Sequence, residues 1–539
     1  MVWRSGTLQI GRSLQRAARA LWLAVSLATV AAGCRSGPEV RAESTQDLLS
    51  RCPIGEVRTD VSFPGVRESV RAPRKEAWER RFSSRAEFKA ALRARLEAWP
   101  ERSPAAMPDL PRDPRAFAMQ VARDTWRGLR GLRDRQHGLP IDHVRWLGPT
   151  FAAEDAEIGD YTSSSNVGLF LLAVVAARDL GLETHDSAVS LVRAVLDTLA
   201  RLERYRGFFF NYYDTTSLER TSHLISFVDS SWLTAGMLVA RNAFPELAAR
   251  IEGFLAEENY ALFYDPIRGQ MRHGYYVVPG VYSPFHYGVL FTEARLGSLL
   301  AIGKGDVPRS HWYALVRTYP PGCKWQRQAP VEPTVERKNG YPVYRGYYRW
   351  RGVYYVPSWG GSMFEALMPL LLVPEHKLAP QGWGGNALAH AIVQRRFAME
   401  KWNQPVWGAS PSMNPNDKDY REFGVPVLGT RGYPGGAVSP HASALALVVT
   451  PDEALANLQR LAQLYPIYAD FGFFDAVDPS TGSVARGYLN LDQSMILVSL
   501  ANYLVPGGMW QYFVNDPQVR RALSLLAEER LFSADERPL

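Results

Sequence analysis

Cysteine is scarce in this chain: Cys34, Cys52 and Cys323 are the only three among 539 residues, and no two stand at CxxC spacing. The ten histidines contain no HExxH pair. Zinc sites of familiar spacing are thereby excluded, and neither a metal nor a cofactor is expected. There is no GxSxG turn for a serine nucleophile, and Gly303-Lys-Gly-Asp306 is not a phosphate loop. Charge of one sign is also missing. The formal charge is +7, but four arginines (Arg4, Arg12, Arg16, Arg19) lie in the first 33 residues, leaving 57 basic against 54 acidic side chains spread along the rest. Nucleic acid, which needs a concentrated basic stripe, is excluded as a partner. No stretch repeats at a fixed period, which argues against a solenoid.

No apolar run is long enough to span a bilayer comfortably. The longest near the start, Leu21–Ala32, follows the arginines and ends in small residues, as export signals do. Ala31-Ala32-Gly33-Cys34 resembles a bacterial lipobox, with Ala where Leu is commoner. That resemblance implies removal of residues 1–33, acylation of Cys34 and anchorage in the cell envelope, in the periplasm or at the outer membrane; ordinary secretion with nearby cleavage is the alternative. Residues 34–111 are expected to be a polar tether followed by a charged helical stretch, Lys75–Trp99. Cys52 and Cys323 could pair in an oxidising compartment, though their spacing does not decide it.

Apolar residues are plentiful, at 46%, with 12% aromatics. From about residue 112 to the end, helical periodicity recurs close to a dozen times, including His286–Gly303 and Asp492–Leu504, with few and short strands between. Helices in that number must bury helix on helix, and the fold expected is all-α, an (α/α)6 toroid of about twelve helices over 112–539. Its connecting loops are rich in Gly and aromatics, as in Phe208-Phe-Phe-Asn-Tyr-Tyr-Asp214 and Phe471-Gly-Phe-Phe-Asp475. Flat rings beside acids and amides suit the apolar faces and hydroxyl edges of sugars. The expected lining is Tyr213, Asp214, Asp229, Trp359, Glu365, Trp407, Phe474 and Asp492, with an oligosaccharide or polysaccharide as partner of a monomer. The plain alternative is packing of the loops, and Asp229 and Asp492 each open a helical run where an N-cap is equally served.

Glu293 stands out because its helical-period neighbours Val289, Leu290, Leu296 and Leu300 are apolar. A carboxyl group in such a place must be paired, with Arg295 or Arg317 for example, or must hold its proton. A protonated carboxyl is what a general acid requires, and Asp475, in a turn before Pro479, offers an ionised partner.

In order along the chain, Thr162-Ser-Ser-Ser-Asn-Val-Gly, Phe210-Asn-Tyr-Tyr-Asp-Thr, Thr292-Glu-Ala-Arg-Leu, Ser358-Trp-Gly-Gly-Ser-Met-Phe-Glu and Gly472-Phe-Phe-Asp-Ala-Val-Asp resemble the bacterial glycoamylase-like domain. That domain occurs in cyclic β-1,2-glucan synthases and is related to endo-β-1,2-glucanases. The likeness runs from Trp126 to Trp510. It implies the same toroid and a glycoside hydrolase acting on a bacterial β-glucan, with Glu293 as general acid, Asp475 as base reached through a substrate hydroxyl and water, Asp229 in contact with substrate and Glu365 in a subsite or structural place. The synthase type carries a glutamate in a Ser-Glu-Ser element, whereas this chain has Trp407-Gly-Ala-Ser-Pro-Ser412, with Pro411 at that point. Hydrolysis with inversion is therefore expected. An exo-acting hydrolase on another surface polysaccharide and a non-catalytic glycan-binding lipoprotein are the rival readings.

Overall fold

Three helices are apolar on every side and so have to lie inside. These are Ser164–Asp179, Phe227–Ala243 and Asn490–Leu504, each with 13 or 14 buried residues. The computed structural model, which describes Cys52 and residues 72–105, 109–148, 150–417, 419–529 and 531–532, places them at its centre. In chain order the interior helices are α1 (Pro114–Gly131), α2 (Ser164–Asp179), α3 (Phe227–Ala243), α4 (Arg295–Lys304), α5 (Met363–Leu367), α6 (Pro440–Ala446) and α7 (Asn490–Leu504). Contacts run α1 to α7, α7 to α2, α2 to α3, α3 to α4, α5 to α6 and α6 to α7. One-faced helices, such as His185–Leu199, Pro451–Leu464 and Pro517–Glu528, cover them from outside. The expected leader, the expected acylation site Cys34 and the start of the expected tether lie outside the described residues. Among those described, no helix is long and apolar enough to cross a membrane.

The expectation of an all-α chain is not met. The described residues are 45% helix and 18% strand, a mixed α/β architecture. Among the described residues, 22 strands form nine small antiparallel sheets. The reason lies in the Gly- and aromatic-rich connections, which zip together instead of running as loops. Tyr341–Trp350 pairs with Val331–Lys338 on one side and Val353–Tyr355 on the other. Others join distant parts of the chain, as when His143–Trp146 pairs with both Ala156–Gly159 and Gly487–Leu489. Pleated side chains of Tyr, Val and Phe suit these ladders.

The short strands matter because they deliver the chain to helix starts. Tyr161–Ser163, Leu224–Ser226 and Gly487–Leu489 run straight into α2, α3 and α7. Ser163 and Ser226 cap two of these helices with their hydroxyls. Asn166, Asp229 and Asp492 occupy the third position of the three helices, one turn inside a positive helix end. At the N-terminal side, Cys52 forms a disulfide with Cys323. The helices Pro73–Glu79 and Arg85–Ala94 precede α1, and Ala98 donates its N–H to the Gly131 carbonyl at 3.0 Å.

Close approach of α2 and α3 depends on two glycines. A Cβ on Gly168 would overlap the Trp232 carbonyl, and one on Gly236 would overlap the Gly168 carbonyl. Both obstacles are backbone, which cannot swing aside. Gly168→Ala is expected to destabilise the protein by about 1–3 kcal/mol or more, read from the midpoint of a urea transition. An unchanged midpoint would contradict the α2–α3 packing.

Candidate active site

Glu293 is not carried on a helix, contrary to the periodicity reading of 286–303. His286–Tyr287 is a strand paired with Gln270–Arg272, Val289 bridges Val316, and the helix α4 begins only at Arg295. The turn between them holds Glu293, with Thr292 Oγ1 donating to the Val289 carbonyl at 3.2 Å and the Glu293 carbonyl accepting from Leu296 N–H at 3.3 Å. The residue is half-buried, and its Oε2 is buried with no hydrogen-bond partner.

Neither arginine weighed as its neutraliser is free to serve. Arg295 spends all five N–H donors elsewhere. Nε and Nη2 bind the Glu375 carboxylate at 2.7 and 2.9 Å, Nη1 binds the carbonyls of Thr292 and Glu365, and Nη2 binds that of Ala366. Arg317 is buried against Glu529. Burial foremost, then the negative charge of Glu365, push the Glu293 pKa up to about 8; the backbone N–H of Glu293 and the charge of Arg295 oppose this, and Asp229 adds a smaller push upward. The group therefore holds its proton at neutral pH.

Tyrosines connect this acid to the others. The Tyr287 phenol is raised by burial, then by Glu293 and Asp229. Tyr433 is raised by burial, then by Glu365, Glu422 and Glu293. Tyr420 is raised by burial, then by Asp492 and Asp475, with Tyr212 and Glu422 further off. The side chain is 49% exposed. Glu293 thus acts on Tyr287 and Tyr433, and Glu422 acts on both Tyr433 and Tyr420, which also feels Asp475. Sequence reasoning missed the three tyrosines and Glu422, although Tyr433 lies in the Gly-rich aromatic loop 429–436 that was its own signal.

Asp475 is not in the wet turn expected for it. It is 1% exposed between the strands Gly472–Phe473 and Ala476–Val477, where Oδ2 accepts the Met413 N–H at 2.6 Å. Burial raises its pKa, and it lies against Asp492, also 1% exposed. Among the described residues, His441, Asp475 and Asp492 are the group whose donor atoms approach within 4.8 Å of one another. That spacing would admit a cation, and within the group the two aspartates stand close enough for a side-chain hydrogen bond between their carboxyl groups.

The remaining expected lining divides sharply. Asp229 keeps partial exposure and accepts from Ser165 Oγ at 2.7 Å; the cap of its helix is Ser226. Trp359 is half-buried beside Trp325, near the disulfide. Tyr213 is sealed in the core, donating to the Glu203 carbonyl at 2.6 Å and accepting the Phe210 N–H at 2.7 Å. Asp214 is buried holding the Thr216 and Ser217 amides at 2.8 and 2.7 Å. Trp407 and Phe474 are core residues, 2% and 0% exposed, so neither presents a ring to a ligand. Glu365 closes a capping box with Ser362 and also binds Ser358 Oγ and Gly360 N–H, a structural place. A groove of about 390 Å³ beside Arg130, Arg133 and Arg201 shares no residue with this site.

Residues 330–517 match the glycoamylase family model, described as “Putative glucoamylase”. The matched segment is the smaller part of the chain. Asp475 and Asp492 fall within it and Glu293 precedes it. The cyclic β-(1,2)-glucan synthase NdvB of Rhizobium meliloti is 26% identical over 560 residues, covering 76% of this chain. This chain spans only 18% of that relative's length. Among solved structures, the β-1,2-glucanase of Parabacteroides distasonis has 16% identity and a TM-score of 0.60 over 78% of this chain and 61% of its own. The endo-β-1,2-glucanase of Chitinophaga pinensis, in complex with sophorotriose and glucose, has 15% identity and a TM-score of 0.57 over 76% and 98%. The glycoamylase-like resemblance thus holds, and the fold is shared with enzymes that act on glucans.

Arg295→Met is expected to destabilise the protein by about 3–5 kcal/mol, because Glu375 would be left as an unpaired buried charge. Urea unfolding of Arg295→Met beside the double variant Arg295→Met/Glu375→Leu checks this, with the double variant recovering much of the loss. Equal losses in both would contradict the pairing.

Proposed function

We propose that this protein is a glycoside hydrolase that cleaves β-1,2-linked glucan with inversion at the anomeric carbon. The observation that carries the reading is Glu293, a carboxyl group with a buried oxygen, no cationic partner and a pKa of about 8. The mention of β-1,2-glucan in the names of the synthase and both glucanases supports the linkage.

In this reading a glucan lies along the tyrosines between Glu293 and Asp475. Glu293 gives its proton to the leaving glycosidic oxygen as the bond from that oxygen to the anomeric carbon breaks. Water attacks the opposite face of that carbon, and its proton passes through a substrate hydroxyl to Asp475. Asp229 holds the sugar next to Glu293. We also place the protein in the cell envelope, anchored through acylated Cys34 and acting as a monomer. The Cys52–Cys323 disulfide supports an oxidising compartment of this kind.

The soluble form lacking residues 1–34, incubated with linear and cyclic β-1,2-glucans, is expected to release new reducing ends. Glu293→Gln keeps the shape and loses the proton, so turnover should fall about 10²–10⁴-fold. The acid works only while protonated, so wild-type activity should decline as pH rises through about 8. Near-wild-type hydrolysis by Glu293→Gln would sink the assignment to Glu293. Saturable oligosaccharide binding without new reducing ends would sink hydrolysis itself and leave a glycan-binding protein.

A further inference from the structure

Asp475 and Asp492 pose a problem that the proposed reaction does not solve. Both are 1% exposed, and they reach each other from different elements, Asp475 from a turn between strands and Asp492 from the third position of α7. Asp475 Oδ1 and both oxygens of Asp492 are buried with no hydrogen-bond donor. Ionised carboxylates only accept, so two of them packed together cannot satisfy one another. Two full charges at this distance in a dry site are also mutually excluded.

The groups facing the pair offer little relief. His441, at the second position of α6, brings Nδ1 to 3.3 Å from Asp492 Oδ2, yet its ring is fully buried and burial pushes its pKa down to about 3, so it is neutral. From the other side come Asp142, whose charge acts on Asp492, and His143, which acts weakly on Asp475. The charges of both aspartates act on the Tyr420 phenol, and the Met413 N–H binds Asp475 Oδ2. No lysine or arginine is among these neighbours.

We propose that Asp475 and Asp492 hold one proton between them, and that Asp492 is the positioning residue that fixes Asp475 for its part in catalysis. The shared proton supplies the missing donor, removes one of two buried charges and ties the Asp475 turn to the start of α7. Neutral His441 backs Asp492 and leaves the single remaining charge nearest the Met413 N–H, on Asp475. The pairing stands on the two carboxyl groups themselves; the catalytic consequence rests on Asp475 being the proton acceptor proposed above.

The test therefore reads both. Thermal unfolding of wild type, Asp492→Asn and Asp475→Asn is followed from about pH 4 to about pH 8. The pair takes up its proton more readily folded than unfolded, so its contribution to wild-type stability is greatest at low pH and is lost as pH rises. Each single variant removes the like-charge conflict, so its melting temperature relative to wild type should climb with pH. A difference that stays constant across the range in both variants would overturn the shared proton. A stoichiometric divalent metal in purified wild type, lost from Asp492→Asn, would overturn it too, because a cation would then be what holds the carboxylates. Where glucan is cleaved, the amide of Asp492→Asn donates permanently to Asp475, and the acidic limb of kcat/KM should move down by about one pH unit. A uniform loss at every pH would reduce Asp492 to a packing residue. Absence of any hydrolysis would count against the proposed reaction and leave the stability result to decide the pairing.

Discussion

Arg295 and Glu375 form a buried ion pair on which the character of the whole site depends. A cation two residues from Glu293 would ordinarily claim that carboxyl group and hold it ionised. Here each of the five guanidinium donors is already bound, to Glu375 and to three carbonyls, with the face of Phe291 at 4.5 Å. The same contacts tie the start of α4 to α5, because two of the carbonyls belong to Glu365 and Ala366. Glu293 is thereby left among other acids. A buried pair of this type adds little net stability, and its value lies in denying a counter-ion to its neighbour.

The second constraint is the passage from strand to helix. Glu293, Asp229 and Asp492 all stand where a short extended segment turns into a helix, with hydroxyl caps or backbone bonds fixing the turn. Strand pairing sets where each helix begins, and the backbone bonds of one hairpin or bridge are shared with another. The β ladders are therefore what aim the acids, while the apolar helices behind them supply a rigid base.

Much of the interior was legible in the sequence. The helix expected over 492–504 announces itself by continuous apolar residues, and its position holds within a few residues. The long-range pairings were not legible, because partners such as His143 and Leu489 are far apart in the chain and no local pattern joins them. Val289 and Leu290 fit a helical stripe as well as they fit the bridge to Val316 that they form. Glu293 was singled out by its apolar surroundings, although the element carrying it is a turn and not the helix expected. Tyr213, Trp407 and Phe474 show the limit of composition: an aromatic beside glycine has the same sequence appearance whether it faces sugar or core. Glu365 carried a signal that was available, since Ser362 stands three residues before it in capping-box spacing.

The proton-donor role of Glu293 is tested most directly by varying the leaving group. A nitrophenyl β-glycoside of a 1,2-linked glucose disaccharide departs as a stabilised anion and needs no proton, whereas a sugar leaving group does. Wild type and Glu293→Gln are compared on this substrate and on β-1,2-glucan. The account predicts that Glu293→Gln retains most of its turnover on the nitrophenyl substrate while losing it on glucan. Equal losses on both substrates would contradict it, because Glu293 would then serve binding or shape and not proton transfer.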